Sequence, residues 1–233
     1  DTTDVNGANL TRDDAQTRGE NITVDSYAVT LDLTTGPTTF ATSSVVRFSA
    51  QPGSETWLDF LGESVSRVVV NGEERDVDWN GARIRLTDLA AENEVRVDAV
   101  GVYMNTGEGL HRFVDPADGE VYLYTQFEVP DSRRMYPVFE QPDLKASFAF
   151  DVTAPAHWEV ISNGATLDVD DGWQPLTETE KRITALSEAG KSVEEIAKEL
   201  VVSQRTVEGH LYRMLDKAGP AKRHTFKATP RMS

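Results

Sequence analysis

The stretch ATLDVDDGWQPLTETEKRITALSEAG, Ala165–Gly190, is where this sequence changes its period. Ahead of it, apolar and polar residues mostly alternate, as a half-buried strand requires. From Leu176 the apolar residues recur at helical spacing, and Glu, Lys, Ala, Leu, Ile and Arg replace the β-branched types. Three helices are expected. Thr177–Ala189 starts on Thr177 with Glu180 three residues on, the pattern of a reciprocal N-terminal cap, carries Ile183 and Leu186 on one face and stops at Gly190. Ser192–Leu200 repeats the cap with Ser192 and Glu195 and lines up Val193, Ile196, Ala197 and Leu200. A third helix, capped by Ser203 and running to about Lys217, stacks Val207, Leu211, Met214 and Leu215 before Gly219 ends it.

Outward from this segment the chain reads as β structure. Ile22, Val24, Tyr27, Val29, Leu31 and Leu33 form a first alternating strand, preceded by a short polar helix in Thr11–Glu20 with Thr11 as its cap. Ser43–Ala50, Thr56–Leu61, Val65–Val70, Arg83–Leu86, Glu94–Val102, Val121–Phe127, Leu144–Val152 and a short Trp158–Ile161 are further strands, with Asn105–Gly109 a loop. Asn71-Gly72, Asn80-Gly81 and Asn163-Gly164 are turn signals. Strand texture returns in Arg223–Ala228. The expected fold is a β-rich sandwich or curved pair of antiparallel sheets with an inserted small all-α helix-turn-helix domain: 1–172 β domain, 173–220 insertion, 221–233 the returning strand.

Composition narrows the functions. At 233 residues and 39% hydrophobic the chain can bury a core, and its net charge of −16 repels nucleic acid at long range. Without cysteine it has no disulfide or thiolate metal site, which suits a reducing compartment, and a cytoplasmic location is expected. No apolar run reaches the roughly 18–20 residues of a membrane span, so no membrane partner is expected. The chain opens on Asp1 rather than Met, and this start and the stop at Ser233 suggest a fragment.

Four strings carry a first resemblance: NLTRDDAQTRGENITVDSY (Asn9–Tyr27), NTGEGLHRFVDPADGEVYLYTQFE (Asn105–Glu128), RRMYPVFEQPDLKASF (Arg133–Phe148) and TAPAHWEVISNGAT (Thr153–Thr166), with HTFKATPRMS (His224–Ser233) after the helices. Together they resemble the N-terminal β domain of zinc-dependent aminopeptidase N-like enzymes, particularly the actinobacterial form. The resemblance implies a β saddle beside a thermolysin-like catalytic domain, where a HExxH helix and a downstream Glu hold zinc and a GxMEN loop takes the substrate amine. Neither motif occurs here, and the four histidines His111, His157, His210 and His224 have no ligand spacing. No catalytic residue, metal ligand or cofactor is therefore expected in this chain, and zinc only in a downstream catalytic domain. The resemblance does give Glu128, with Gln126 beside it, the task of pairing with a peptide's N-terminal ammonium once a catalytic domain is present. A lone strand-end carboxylate would otherwise be read as merely solvated. Arg133, Arg134, Pro137 and Pro142 read as a structural chain crossing, and Val138 and Glu140 stand where the family usually has Cys and Asp.

A second resemblance rests on Pro175–Gly219: L-T-x-x-E, then G-K-S-x-x-E-I-A-x-x-L, then V-S-x-R-T-V-E-x-H-L-x-R and K-x-G. This is similar to the LuxR-type (GerE-like) helix-turn-helix of transcription regulators, which implies double-stranded DNA as a partner, read in the major groove by the third helix. Candidate contacts are Gln204, Arg205, Thr206, His210, Arg213 and Lys217 on that helix, with Lys191 and Ser192 opening the second. Glu208 and Tyr212 share the exposed face. The segment departs from the family in having no fourth, dimer-forming helix. It also has no basic balance, with seven Lys and Arg against eight Asp and Glu. Two readings follow. One is a non-catalytic fragment or chimera carrying a DNA-binding unit; the other is the leading part of a zinc aminopeptidase, with the insert as a regulatory or interaction module. The insertion is expected at the tip of a hairpin between the strand near Ala165–Val169 and the strand near His224–Ala228, with Trp173 at the junction.

Overall fold

The structure, a computed structural model, describes residues 9–128, 130–170, 178–217 and 221–228. For 168–170, 178, 180, 188, 211–217 and 228 it describes the backbone alone. The chain divides into two compact units: Asp1–Thr153 with Ile161–Asp168 and His224–Ser233, and Ala154–Val160 with Val169–Arg223.

The first unit is mostly β. Its elements are helix α1 (Arg12–Asn21) and strands β1 (Ile22–Asp32), β2 (Thr39–Ala50), β3 (Thr56–Asp59), β4 (Ser64–Val70), β5 (Glu73–Arg75), β6 (Arg83–Leu86), β7 (Glu92–Val102), β8 (Gly109–Val114) and β9 (Val121–Gln126), with most of β10 (Ser147–Pro155), β11 (Ala165–Asp170) and β12 (Ala221–Ala228), whose remaining ends fall in the second unit. Eight strands form one sheet in the order β11-β12-β10-β1-β2-β7-β4-β5, and β3·β6 and β8·β9 form two-stranded sheets. The alternation in β1 buries Ile22, Val24, Tyr27, Val29 and Leu31, and β2 and β7 add Phe40, Val46, Phe48, Val95 and Val97. Leu58 on β3 and Ile84 and Leu86 on β6 are buried too. Period-two burial of this kind fixes register, because a one-residue slip would turn each buried side chain to water. Asn71 (φ 54°) and Gly72 (φ 85°) join β4 to β5 with both central residues left-handed, as a tight hairpin requires.

Three expectations are corrected. The sheets are not antiparallel throughout: β1 pairs in parallel with β10, Ser26 to Asp32 against Ser147 to Thr153. Local alternation and turns disclose only hairpin neighbours, whereas this pair closes across more than a hundred residues. Trp158–Ile161 is not a strand; the Trp158 amide turns back to the Pro155 carbonyl. Conversely β8 occupies Gly109–Val114, where no strand is expected, because its residues do not follow one apolar face and Phe113 and Val114 stay half-exposed.

Helix α1 has no apolar face. Its cap is the expected one, Thr11 Oγ1 accepting the Asp14 amide at 3.1 Å, and its single buried residue is Arg18. The Arg18 side chain is 0% exposed and meets Asp59 Oδ2 at 2.8 Å. Arg18 Nε donates to Gln141 Oε1 at 2.9 Å, and its guanidinium lies 4.8 Å from the Trp57 ring centroid.

In the second unit α2 (Glu178–Glu188), α3 (Val193–Leu200) and α4 (Gln204–Lys217) enclose Ile183, Ile196, Ala197 and Val207, with Leu186, Val193 and Leu200 packed around them. The cap expected from Thr177 falls outside the described residues, as do the side chains of Leu211, Met214 and Leu215. Gly190 ends α2 at φ 79°. Ser192 and Glu195 cap α3 reciprocally, and Ser203 Oγ accepts the Thr206 amide at 3.1 Å to start α4. Val201, between α3 and α4, is left-handed (φ 56°, ψ 45°) and 89% exposed.

Two outcomes follow. Arg18→Ala leaves Asp59 charged and buried without its partner, and is expected to cost about 3–5 kcal/mol in a urea titration of the β unit. Val201→Gly removes a β-branched side chain from a conformation that disfavours it, at no loss of packing. The helical transition should gain about 1 kcal/mol, net of the extra chain entropy of glycine.

Candidate functional site

Hairpin β8·β9 presents the first candidate pair. Gln126 closes β9 opposite Gly109, and Glu128 follows two residues on. Both side chains are exposed. Gln126 Oε1 accepts the Glu128 amide at 3.1 Å, so the glutamine shapes the turn that carries the carboxylate. Phe127 between them packs edge-on to Tyr136 at 6.1 Å. Gln126 and Glu128 thus share one turn, and both are exposed to solvent.

Sequence reading missed what holds the foot of this hairpin. Gly109 is left-handed (φ 60°), and a Cβ there would sit 2.7 Å from Cβ of Arg134. Arg134 Nε donates to Asp131 Oδ1 at 2.7 Å and its Nη2 lies 3.3 Å from Glu108 Oε2. Arg134 is therefore an anchor of the site as well as part of a chain crossing. Its signal in the sequence was Gly109, the residue that lets an arginine side chain lie against backbone.

Arg133 beside it is buried, and burial holds its guanidinium below the usual arginine range although Asp59 and Glu140 act the other way. Glu140 replaces the shorter carboxylate expected at its position. It accepts from the Ser132 hydroxyl and from the Arg133 amide, the latter at 2.8 Å, while its own amide donates to Asp59 Oδ2 at 3.0 Å. Burial raises the Glu140 carboxyl above the ordinary range, against those two hydrogen bonds. A cleft of about 280 Å³ runs past Tyr27, Ser132, Tyr136, Glu140, Lys145 and Phe148.

The described residues do not fit zinc. Among the described residues no three His, Asp or Glu side chains gather to hold a metal ion. His111 Nδ1 accepts the Gly107 amide at 2.9 Å and stacks on Tyr124 at 4.7 Å, a structural use of the ring.

The second candidate face belongs to α4. Gln204, Arg205 and Thr206 are exposed in its first turn, which contains no acidic residue, and buried Val207 fixes that turn on the helical core. Thr206 Oγ1 lies 2.7 Å from Ser203 Oγ, so its hydroxyl is shared with the cap. His210 is half-buried. The side chains of Arg213 and Lys217 lie outside the described residues. At the head of α3 the two candidates are engaged within the chain: Lys191 pairs with Glu199, and Ser192 N and Oγ donate to Glu195 Oε2 at 2.8 and 3.0 Å. These bonds hold the Glu195 carboxyl below its usual range. The positive end of α3 already faces this carboxylate, which leaves the head of α4 as the less occupied of the two.

Comparison with known proteins bears on both units. The Peptidase M1 N-terminal domain family matches residues 23–183, more than half of the chain, and the family of bacterial regulatory proteins, luxR family, matches 174–224. Aminopeptidase N of Streptomyces lividans is 46% identical over 189 residues, spanning 77% of this chain and 22% of that protein. A probable M1 family aminopeptidase of Encephalitozoon cuniculi is 31% identical over 128 residues, 44% of this chain and 14% of its own. The M1 zinc metallopeptidase of Deinococcus radiodurans shares the fold at TM-score 0.55 and 17% identity, over 89% of this chain and 39% of that one. The chain thus spans less than a quarter of the curated relatives it matches.

Glu140 gives a pH dependence. A carboxyl whose pKa is higher folded than unfolded keeps its proton in the native state after the unfolded chain has lost it. Its contribution is complete below the ordinary Glu value of about 4.3 and declines as pH rises through the raised one. Glu140→Gln should remove that decline from a plot of urea midpoint against pH; an unchanged slope contradicts the assignment.

Proposed function

The chain belongs to the Peptidase M1 N-terminal domain family, and from that premise we propose that it is a binding protein with two separate tasks rather than a peptidase by itself. The helical unit is a LuxR-type helix-turn-helix by similarity, and its proposed task is to bind double-stranded DNA through the head of α4. One observation carries this: Gln204, Arg205 and Thr206 stand exposed on an acid-free first turn whose next residue, Val207, is locked in the helical core. Arg205 can take a phosphate or a guanine edge and Gln204 an adenine edge. With no basic excess in the unit and −16 over the chain, the affinity is modest and set by few contacts. A cytoplasmic location suits this task. Among the described residues no helix is long and apolar enough to cross a membrane.

The second reading concerns the β unit. Glu128, exposed at the end of β9, is proposed to pair with the N-terminal ammonium of a peptide when an M1 catalytic domain, with its zinc, stands beside it. The 46% identity to an aminopeptidase N favours it, and half-exposed Phe113, Tyr122 and Tyr124 on the same hairpin offer apolar surface to such a domain.

Fluorescence anisotropy with labelled duplexes tests the first reading. Binding should appear at low salt and weaken as salt rises, and Arg205→Ala should cost about 1 kcal/mol or more. Absence of binding at every salt concentration, or an unchanged affinity for Arg205→Ala, sinks it.

A further inference from the structure

Four Asn-Gly pairs occur in the chain: Asn6-Gly7, Asn71-Gly72, Asn80-Gly81 and Asn163-Gly164. The first lies outside the described residues. The sequence reads the other three alike, as turns, yet the structure treats their side-chain amides differently. Asn71 donates from Nδ2 to Asn93 Oδ1 at 3.1 Å and accepts the Glu94 amide at 2.9 Å, in a hairpin where both it and Gly72 are left-handed. Asn80 Oδ1 accepts the amides of Ala82 and Arg83 at 3.0 and 2.8 Å. Asn163 lies in an exposed bend before β11, and among the described residues no hydrogen bond holds its side-chain amide.

We propose that Asn163 is the deamidation site of this fold. The reaction needs the Asn Cγ to swing onto the backbone nitrogen of the next residue, and glycine there has no Cβ to obstruct the approach. A solvent base removes the Gly164 amide proton, the nitrogen bonds to Asn163 Cγ, and the Cγ–Nδ2 bond breaks to release ammonia. Water then opens the five-membered imide at either carbonyl, giving Asp or isoaspartate. No electron changes hands, and water is the only co-reactant. The Gly164 amide has a weak intramolecular partner, Ser162 Oγ at 3.4 Å, whereas Asn71 and Asn80 must each break two hydrogen bonds before their side chains can turn. Two bonds of ordinary net strength correspond to roughly tenfold in rate. The product puts a new carboxylate, or one extra main-chain carbon, directly ahead of β11.

The test is peptide mapping by mass spectrometry after incubating the full chain at mildly alkaline pH, folded and in denaturant. In the folded chain Asn163 should convert roughly tenfold ahead of Asn71 and Asn80; in denaturant the three should converge. Gly164→Val, with an unchanged circular dichroism spectrum, should suppress conversion at Asn163 alone. The proposal is overturned if Asn71 or Asn80 keeps pace with Asn163 in the folded chain. It is equally overturned if Asn163 stays intact when folded, or if Gly164→Val leaves its conversion unchanged.

Discussion

A single buried guanidinium organises the β unit. Arg18 reaches from a helix with no apolar face to Asp59 at the end of β3, to Gln141 Oε1 and, at 3.3 Å, to the Glu140 carbonyl. Gln141 Nε2 returns a bond to the Ala15 carbonyl at 2.9 Å, and Trp57 Nε1 donates to Asp59 Oδ1 at 3.1 Å. Two desolvated charges gain little net stability over apolar residues of the same shape, so this pair acts through geometry. It allows one relative placement of α1, β3 and the crossing at 133–142. From there the order runs outward. Glu140 holds the Ser132 hydroxyl and the Arg133 amide, Arg134 lies on Gly109, and Gly109 faces Gln126, whose side chain shapes the turn carrying Glu128. The turn that carries Glu128 is thus linked to an ion pair, Arg18–Asp59, far from it in sequence.

The helical unit is held by apolar packing instead. It leaves the sheet after β11 and returns at β12, and these two strands are neighbours in the sheet. Such a junction asks only that the ends of the guest lie close together. Ile183, Ile196, Ala197 and Val207 form a core of their own. The two family matches overlap at 174–183, and the returning strand lies past the end of the M1 match.

The sequence disclosed what local physics determines. Alternation predicted β1, β4, β6 and β7, Asn-Gly the tight hairpin at Asn71, and Ser-x-x-Glu the reciprocal cap of α3, all within a few residues. It did not disclose the parallel partner of β1, which is a long-range choice, nor β8, whose half-exposed side chains follow neither period. At the candidate site the quoted motif supplied Gln126 and Glu128, and Arg134 reads as structural, but nothing local distinguishes Arg18 from a solvated arginine or shows which groups Arg134 holds. Their roles come from partners at Asp59, Gln141, Glu108 and Asp131, which only folding brings together. At the head of α3 the sequence shows the Ser192–Glu195 cap, but not the pairing of Lys191 with Glu199.

The central claim is that the apolar core of the sheet and the apolar core of the helices are separately stabilised. Native-state hydrogen exchange of the whole chain in graded denaturant tests it most directly. The account predicts two opening transitions, with the amides of Val29, Val46, Val95 and Val97 protected to one free energy and those of Ile196, Ala197 and Val207 to another. A single transition in which both sets open together at every denaturant concentration would contradict it.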